Sequence, residues 1–312
     1  MQDGLEKFYR GLDRQYAEGN LSDVEQYLLE SVSRTRNGQK NERGEAIAIY
    51  NELGSFYRGV SRYAQSLAAF ERARALAASD LGQECSQYAT ILNNMAGTYR
   101  LTGEYDRAIE LFHEAMAIYR REGQQHTYAY ASVLNNLSLV YREANQIDRA
   151  IEYLEQALQL IQQMPGYEQE LAVTYNNLTA LYHAAGDNER AMLCLDRALN
   201  EFEKCADDEN VHYAAGLNSM AGFLFAAGEY ERALALYRKS AKYTKRFFGE
   251  NMEYGITCQN MCWAYTKLEK WGEAIAVLAK AEQVYKRLLG EDHERTRAVA
   301  DNLKQLRQGS KA

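Results

Sequence analysis

Large apolar, small and polar positions return in a fixed order along nearly the whole chain. The string Leu92-Asn93-Asn94-Met95 recurs as Leu134-Asn135-Asn136-Leu137, Tyr175-Asn176-Asn177-Leu178 and Leu217-Asn218-Ser219-Met220. Weaker copies are Tyr50-Asn51-Glu52-Leu53 and Cys258-Gln259-Asn260-Met261. With the second residue of each string as position 0, the copies fall at 51, 93, 135, 176, 218 and 259, a period of 41 or 42 residues. Position +2 is Leu or Met, and +6 is Tyr57, Tyr99, Tyr141, Tyr182, Leu224 and Tyr265. Small residues hold +15 (Ser66, Ala108, Ala150, Ala191, Ala233, Ala274) and +22 (Ala73, Ala115, Ala157, Ala198, Ser240, Ala281). A period of this length marks stacked supersecondary units, each unable to bury its apolar face alone. One period earlier lies Tyr9, with Gly19 at the turn position, and one period later lies Asp301-Asn302-Leu303. The pattern therefore predicts seven units, the first divergent, and a terminal helix.

Each unit reads as two helices and a tight turn. In the third, helix A is predicted from about Gly82 to Leu101 and helix B from about Tyr105 to Arg121. Between them Gly103 can take the left-handed conformation that ends a helix without a Cβ penalty. The same position, +10, is Gly186 and Gly228 in two other units and Ser61, Asn145 and Glu269 in the rest. Small residues at +15 and +22 let two helices approach closely, and large ones at +2 and +6 fill the space between. At 100° per residue, positions −3, +4, +7 and +8 lie within about 80° of position 0, while +2 and +6 face the opposite way. One face of every A helix is thus left free of the hairpin core.

Composition sharpens this into an all-α protein. Pro165 is the single proline in 312 residues, where average usage would give roughly 15. Proline disrupts helix interiors, and Ala, Leu, Glu, Arg and Tyr are abundant. No run approaches the roughly 20 apolar residues that span a bilayer, so no membrane insertion is expected. The N-terminus has no apolar stretch of the kind that directs secretion. Five cysteines, an odd number, read as reduced thiols of a cytoplasmic protein. The net charge of −7, from 36 Lys+Arg against 43 Asp+Glu, argues against nucleic acid as a general partner.

The repeat resembles the tetratricopeptide repeat, whose usual unit is about 34 residues. The longer period and the string Leu-Asn-Asn-Leu-x-x-x-Tyr-x-x-x-Gly-x-Tyr-x-x-Ala look like the kinesin light chain subtype. The segments Leu288-Leu289-Gly290-Glu291-Asp292-His293 and Phe248-Gly249-Glu250-Asn251 are similar to a loop of that subtype, with Glu294 where proline is usual. The resemblance implies a right-handed superhelical solenoid of helical hairpins. It implies a single domain, 1–312, with about seven hairpins over 3–290 and a capping helix over 293–307. It also implies that the free face of the A helices lines a concave groove.

Along that face the candidate peptide-binding residues are Asn51, Asn93, Asn135, Asn176 and Asn218 at position 0. At +7 stand Arg58, Arg100, Arg142, His183 and Phe225, and at +4 of the last unit stands Trp263. The first unit offers Tyr9, Asp13 and Tyr16. Asparagine carries a donor and an acceptor for an extended backbone, although the same ladder would serve equally to bond neighbouring helices together. Arginine holds carboxylate in a bidentate fork, unless Glu143 or Glu104 occupies it first. Phe225 and Trp263 suit an apolar anchor, or packing against the C-terminal helix. The ligand expected is acidic over the central units and apolar at one end.

No catalytic constellation is present in the sequence. There is no phosphate-binding loop, no His-Glu-x-x-His and no Gly-x-Ser-x-Gly elbow. Cys258 and Cys262 share a helix face, but two further metal ligands are missing, so they read as small buried apolar residues; Cys85, Cys194 and Cys205 are isolated. No cofactor is implied, and the chain is read as no enzyme. The function expected is a protein- or peptide-binding adaptor. The alternatives are a peptide-sensing receptor acting in trans and a self-assembling scaffold, which would make a homo-oligomer.

Overall fold

The computed structural model describes residues 2–18, 20–35, 43–204 and 211–309. Gly19 and Cys205 lie outside the described residues. Helices form without strands among those described, and the chain divides into two compact units, Met1–Gln163 and Met164–Ala312. The first holds four hairpins: α1 (Gln2–Glu18) with α2 (Leu21–Thr35), α3 (Arg43–Gly59) with α4 (Tyr63–Asp80), α5 (Ser86–Leu101) with α6 (Tyr105–Arg121), and α7 (Tyr128–Glu143) with α8 (Ile147–Ile161). The second holds α9 (Glu168–Ala184) with α10 (Asn188–Lys204), α11 (Val211–Ala226) with α12 (Tyr230–Phe248), and α13 (Met252–Lys267) with α14 (Trp271–Leu289). It ends with α15 (Glu294–Gly309), close to the 293–307 expected of the capping helix.

The repeat phase explains the packing. The residue at +15 is fully buried in all six complete repeats, and so is the one at +22, with only Ser240 reaching 1% exposure. No longer side chain fits at these points, because the two helices of the hairpin meet there at close-packed distance. Ser66 replaces alanine and stays satisfied by donating to the carbonyl of Gly54 at 2.8 Å. At +2, Leu53, Met95, Leu137, Leu178, Met220 and Met261 are buried, as are Tyr57, Tyr141, Tyr182, Leu224 and Tyr265 at +6. Tyr99 differs, being half-buried with the Arg107 guanidinium 5.6 Å from its ring centre. Arg149 over Tyr141 and Arg190 over Tyr182 make the same contact one and two repeats on, a cation–π interaction that covers the outer ring face.

The turns are alike in all six complete repeats. The residue at +10 has positive φ: 79° at Gly103, 81° at Gly186, 85° at Gly228, but also 60° at Ser61 and 58° at Asn145 and Glu269. In each, the amide at +11 donates to the carbonyl at +6 and the amide at +10 to the carbonyl at +7, as Glu104 to Tyr99 and Gly103 to Arg100. This is the Schellman arrangement, which satisfies carbonyls a helix end would otherwise leave unpaired. The third A helix begins at Ser86, four residues later than the pattern predicts. Gly82, with φ of 85°, belongs to the loop that ends α4, and Cys85 is the extended residue before α5.

Within each compact unit, an A helix packs on its own B helix, and each B helix packs on the A helix that follows. Adjacent A helices also touch: α1 on α3, α3 on α5 and α5 on α7 in the first unit, and α9 on α11 and α11 on α13 in the second. The A layer is therefore the more tightly stacked one.

Glu269 pays the left-handed penalty without a visible return. Replacing Glu269 by Gly should raise stability by about 0.5–1 kcal/mol, because an L-residue costs about 1–2 kcal/mol in that conformation and glycine loses part of this in unfolded-state entropy. The reverse change, Gly103→Ala, should lower it by a similar amount. Urea unfolding midpoints of the two variants check both signs; a destabilised Glu269→Gly protein would contradict the account.

Candidate functional site

Position 0 and the residue after it act as a pair between repeats. The Asn94 Nδ2 donates to Asn51 Oδ1 at 2.9 Å, Asn136 Nδ2 to Asn93 Oδ1 at 3.1 Å, and Asn260 Nδ2 to Asn218 Oδ1 at 3.3 Å. Each bond ties one A helix to the preceding one. In the first unit the same rung is made with other residues, Tyr9 at position 0 hydrogen-bonding Glu52 at +1. Burial raises the Glu52 carboxyl above its ordinary value, against the lowering effect of the Tyr9 hydroxyl and the Arg58 charge. The Oδ1 of Asn135 is buried with no hydrogen-bond partner. The asparagine face of Asn51, Asn93, Asn135, Asn176 and Asn218 is half-buried throughout. At Asn51, Asn93 and Asn218 the acceptor is engaged between helices.

The three arginines at +7 do different things. The Arg58 side chain lies across the next A helix, donating from Nη1 to the carbonyl of Asn94 at 3.1 Å. It has room because residue 97 is glycine: a Cβ there would stand 2.9 Å from Nη1. No carboxylate lies within ion-pair distance of Arg58 among the described residues. Burial first, and then the charge of Arg100, pull the Arg58 guanidinium below its usual value, while Glu52 acts in the opposite direction. Arg100 is paired with Glu143 at +8 of the next A helix. Arg142 is more exposed and reaches the same carboxylate only at 4.0 Å. Glu104 pairs instead with Arg107.

Tyr9 and Tyr16 are exposed on α1. Each hydroxyl is raised by burial first and then by the Glu52 charge, so both stand near that carboxylate. Together these residues place three guanidinium groups (Arg58, Arg100, Arg142), two carboxylates (Glu52, Glu143) and two phenols (Tyr9, Tyr16) on the A helices of the first unit.

In the second unit the +7 residues are His183 on α9, Phe225 on α11 and Thr266 on α13. His183 is exposed, with Nδ1 3.1 Å from Asn188 Oδ1 and its ring edge-on to Phe223 at 5.0 Å. Phe225 packs on Tyr230 at the start of α12, 5.3 Å between ring centres. Trp263 is 54% exposed on α13 and borders a cavity of about 300 Å³ that Phe225 does not line. The two aromatic residues therefore occupy separate places.

The sequence pattern did not single out Glu52, Gly97, Trp271, Asn302 or Gln305. A signal existed for some of them: position +1 is polar in every repeat, and polar residues at 0 and +1 of neighbouring A helices can bond across. Cys258 and Cys262 are buried, and burial pushes the Cys258 thiol up to about 11 and raises that of Cys262 as well. Among the described residues no cluster of three His, Cys, Asp or Glu could hold a metal, and no helix is long and apolar enough to cross a membrane.

Sequence models of the tetratricopeptide repeat match residues 45–121, 87–163 and 129–204, and a second version of the repeat matches 214–251 and 257–295. Among solved structures, the chain is similar to BtubC (BKLC) from P. vanneervenii, with 28% identity over 65% of this chain and 81% of that one, and a TM-score of 0.59. It is similar in fold to the kinesin light chain-type repeats of Podosopora anserina, with 19% identity over 63% of this chain and 93% of that one, TM-score 0.55. It is also similar in fold to NprR, a quorum sensor of B. thuringiensis, in complex with its cognate peptide NprX. There the identity is 14% over 98% of this chain and 86% of that one, TM-score 0.59. No curated protein sequence matches.

The rung between α3 and α5 can be measured directly. Asn94→Ala should lower stability by about 1 kcal/mol, the net value of a hydrogen bond plus part of the desolvation of the acceptor left behind. Asn51→Ala should do likewise. The double variant should lose less than the sum, because the two side chains share one bond. Additive losses in urea unfolding would mean that the rung contributes nothing.

Proposed function

We propose that this chain, which belongs to the tetratricopeptide repeat family in its kinesin light chain-like form, is a non-catalytic protein- or peptide-binding adaptor. Its ligand is an extended segment with acidic character, laid along the A helices of the first unit. The observation that carries this reading is Arg58. Its guanidinium is half-buried beside a second arginine and held by one backbone carbonyl, with no carboxylate within ion-pair distance among the described residues and the Glu52 charge acting only from farther away. Desolvating a cation with no opposite charge in direct contact is costly, and the cost is recovered when a ligand supplies one there. The remaining guanidinium donors suit a bidentate carboxylate.

The other candidates take supporting roles. Glu143 already neutralises Arg100, so Arg100 adds to the field around the site more than to a direct bond. Arg142, exposed and loosely paired, is available to a second acidic residue. The asparagines keep amide hydrogens for a ligand backbone where the Oδ1 is engaged between helices. The peptide bound by NprR concerns that protein, and a shared fold supports only the use of such a surface. A reduced, cytoplasmic setting fits the buried free thiols.

The test is binding of acidic extended peptides, selected on an array and measured by fluorescence anisotropy of the labelled peptide. Arg58→Ala should weaken binding about ten- to hundredfold, the worth of about 1.5–3 kcal/mol for a charged hydrogen bond. Gly97→Ala should weaken it too, since the new Cβ displaces the Arg58 head while leaving the charge in place. Arg142→Ala should matter less, and its effect should shrink as salt rises. Equal affinity of wild type, Arg58→Ala and Gly97→Ala for every selected peptide would refute the assignment.

A further inference from the structure

Two positions of the B helices, +21 and +28, are charged almost throughout. At +21 stand Arg72, Glu114, Arg197, Lys239 and Lys280, and at +28 stand Arg121, Lys204, Arg246 and Arg287, with Ser79 in the second unit. The repeat that begins at Asn135 departs from this. There both are glutamine, Gln156 and Gln163, with a third glutamine, Gln159, between them. Spacings of three and four residues put all three on one side of α8. The second compact unit shows what the charges do. Lys239, at +21 of α12, bonds the Glu203 carboxylate, at +27 of the preceding B helix α10, at 3.0 Å. Between α6 and α8 the same two positions are Arg120 and Gln156.

No ion pair forms there. Arg120 donates from Nε to the hydroxyl of the buried Tyr130 at 2.7 Å, and has no carboxylate within ion-pair distance among the described residues. A cavity of about 540 Å³ opens between α6, α7 and α8 instead. Arg120, Tyr130 and the three glutamines of α8 line it, with Gln125 and His126 of the loop between α6 and α7, and no carboxylate does. The Oε1 of Gln125 is buried without a hydrogen-bond partner. The side chains of His126, Gln159 and Gln163 form no hydrogen bond among the described residues. Gln156 makes one long one, from Nε2 to Glu152 at 3.5 Å. The cavity is separate from the peptide surface proposed above. Its two residues from α7, Tyr130 and Leu134, stand at −5 and −1, off the free face of that helix.

We infer that this cavity binds a small oxyanion that carries hydroxyl groups, of the class of a sugar phosphate or a sugar acid. The negative charge follows from Arg120. In the second unit a carboxylate of the chain meets the cation at these two positions; here the cation stands opposite an amide, and the ligand brings the missing charge. With Nε given to Tyr130, the two terminal nitrogens keep their donors for a bidentate oxyanion. The hydroxyl groups follow from the amides. A carboxamide both donates and accepts, as a hydroxyl does, and the buried Gln125 oxygen needs a donor that the chain does not supply. An apolar ligand would leave these groups unpaired. An ammonium ligand would meet Arg120 and find no carboxylate. The size follows from the volume, which lies within the range of small-molecule sites and admits a six-carbon sugar with its anionic group.

Isothermal titration calorimetry of the full chain at low ionic strength tests this, with glucose 6-phosphate, gluconate, glucose, glucosamine and inorganic phosphate as probes. Glucose 6-phosphate or gluconate should bind saturably, with a dissociation constant on the order of 0.1 mM, and the tighter of the two identifies the anionic group. Glucose, glucosamine and inorganic phosphate should each bind at least about tenfold more weakly. Gln156→Glu sets a carboxylate opposite Arg120 and should weaken the sugar anion at least about tenfold. Arg120→Gln should do the same, and Gln156→Glu carries the test alone should Arg120→Gln fail to fold. Gln159→Ala should weaken the sugar anion and leave inorganic phosphate unchanged. Arg58→Ala should leave every titration unchanged, so a failure here is distinguishable from a failure of the peptide site. No saturable binding of either sugar anion, or equal binding by the folded Gln156→Glu protein, would overturn the inference. Glucose binding as tightly as the sugar anions would overturn its charge component, and inorganic phosphate doing so would overturn its hydroxyl component.

Discussion

The structure depends on the approach of two helices at a pair of small residues. Wherever +15 and +22 carry alanine or serine, those residues are buried to the last square ångström or nearly so, and the two helices of the hairpin meet over them. A larger side chain at either place would push the pair apart and expose the Leu, Met and Tyr residues that fill the interface from the other helix. The left-handed turn at +10 belongs to the same constraint. It brings helix B back along helix A in few residues, and it does so with the same two backbone hydrogen bonds whether the residue is Gly103 or Glu269.

Once hairpins are fixed in this way, the free side of each A helix is committed to stacking, and under the proposed function to ligand as well. At Asn51, Asn93 and Asn218, position 0 gives up its acceptor to the next helix, yet retains donors. Position +7 sets the chemistry beside the next A helix. An arginine over a glycine leaves a guanidinium with unused donors; an arginine over a glutamate gives a neutral pair; a histidine against a phenylalanine gives a ring contact; a threonine bonds back within its own helix. One repeat position, varied along the chain, thus writes a sequence of different local chemistries on a constant backbone. This is how a fold that carries no function of its own can acquire specificity.

The hairpins were legible in the sequence because their determinants lie within one repeat. A residue in phase at +2, +6, +15 or +22 has the same surroundings in every copy, so periodicity alone assigns its burial. Tyr99 departs from this, being half-buried although Arg107 covers its ring as Arg149 and Arg190 cover the buried Tyr141 and Tyr182. The start of α5 was missed by four residues, since Gly82 ends α4 where the pattern offered it as a beginning. The surface chemistry was less legible, because it depends on pairs of residues roughly a period apart. Arg58 and Arg100 look alike as sequence, yet one meets Gly97 and a carbonyl and the other meets Glu143. The Asn–Asn rungs need the residue at 0 and the one at +1 in the next copy to be considered together. The cavity beside Arg120 needs Gln156 to be compared with Lys239, which stands at the same position two repeats on and holds a carboxylate of the preceding B helix.

The central claim is that the A-helix face, and not the outer face of the B helices, meets the partner. Photo-crosslinking tests it most directly, with a photoreactive phenylalanine placed singly at Ser55 or Ala180 on A helices and at His113 or Asp196 on B helices. Mixed with a bound peptide or a captured partner, the A-helix positions should form adducts and the B-helix positions should not. Adducts confined to His113 and Asp196 would contradict the account and move the interface to the other side of the hairpins.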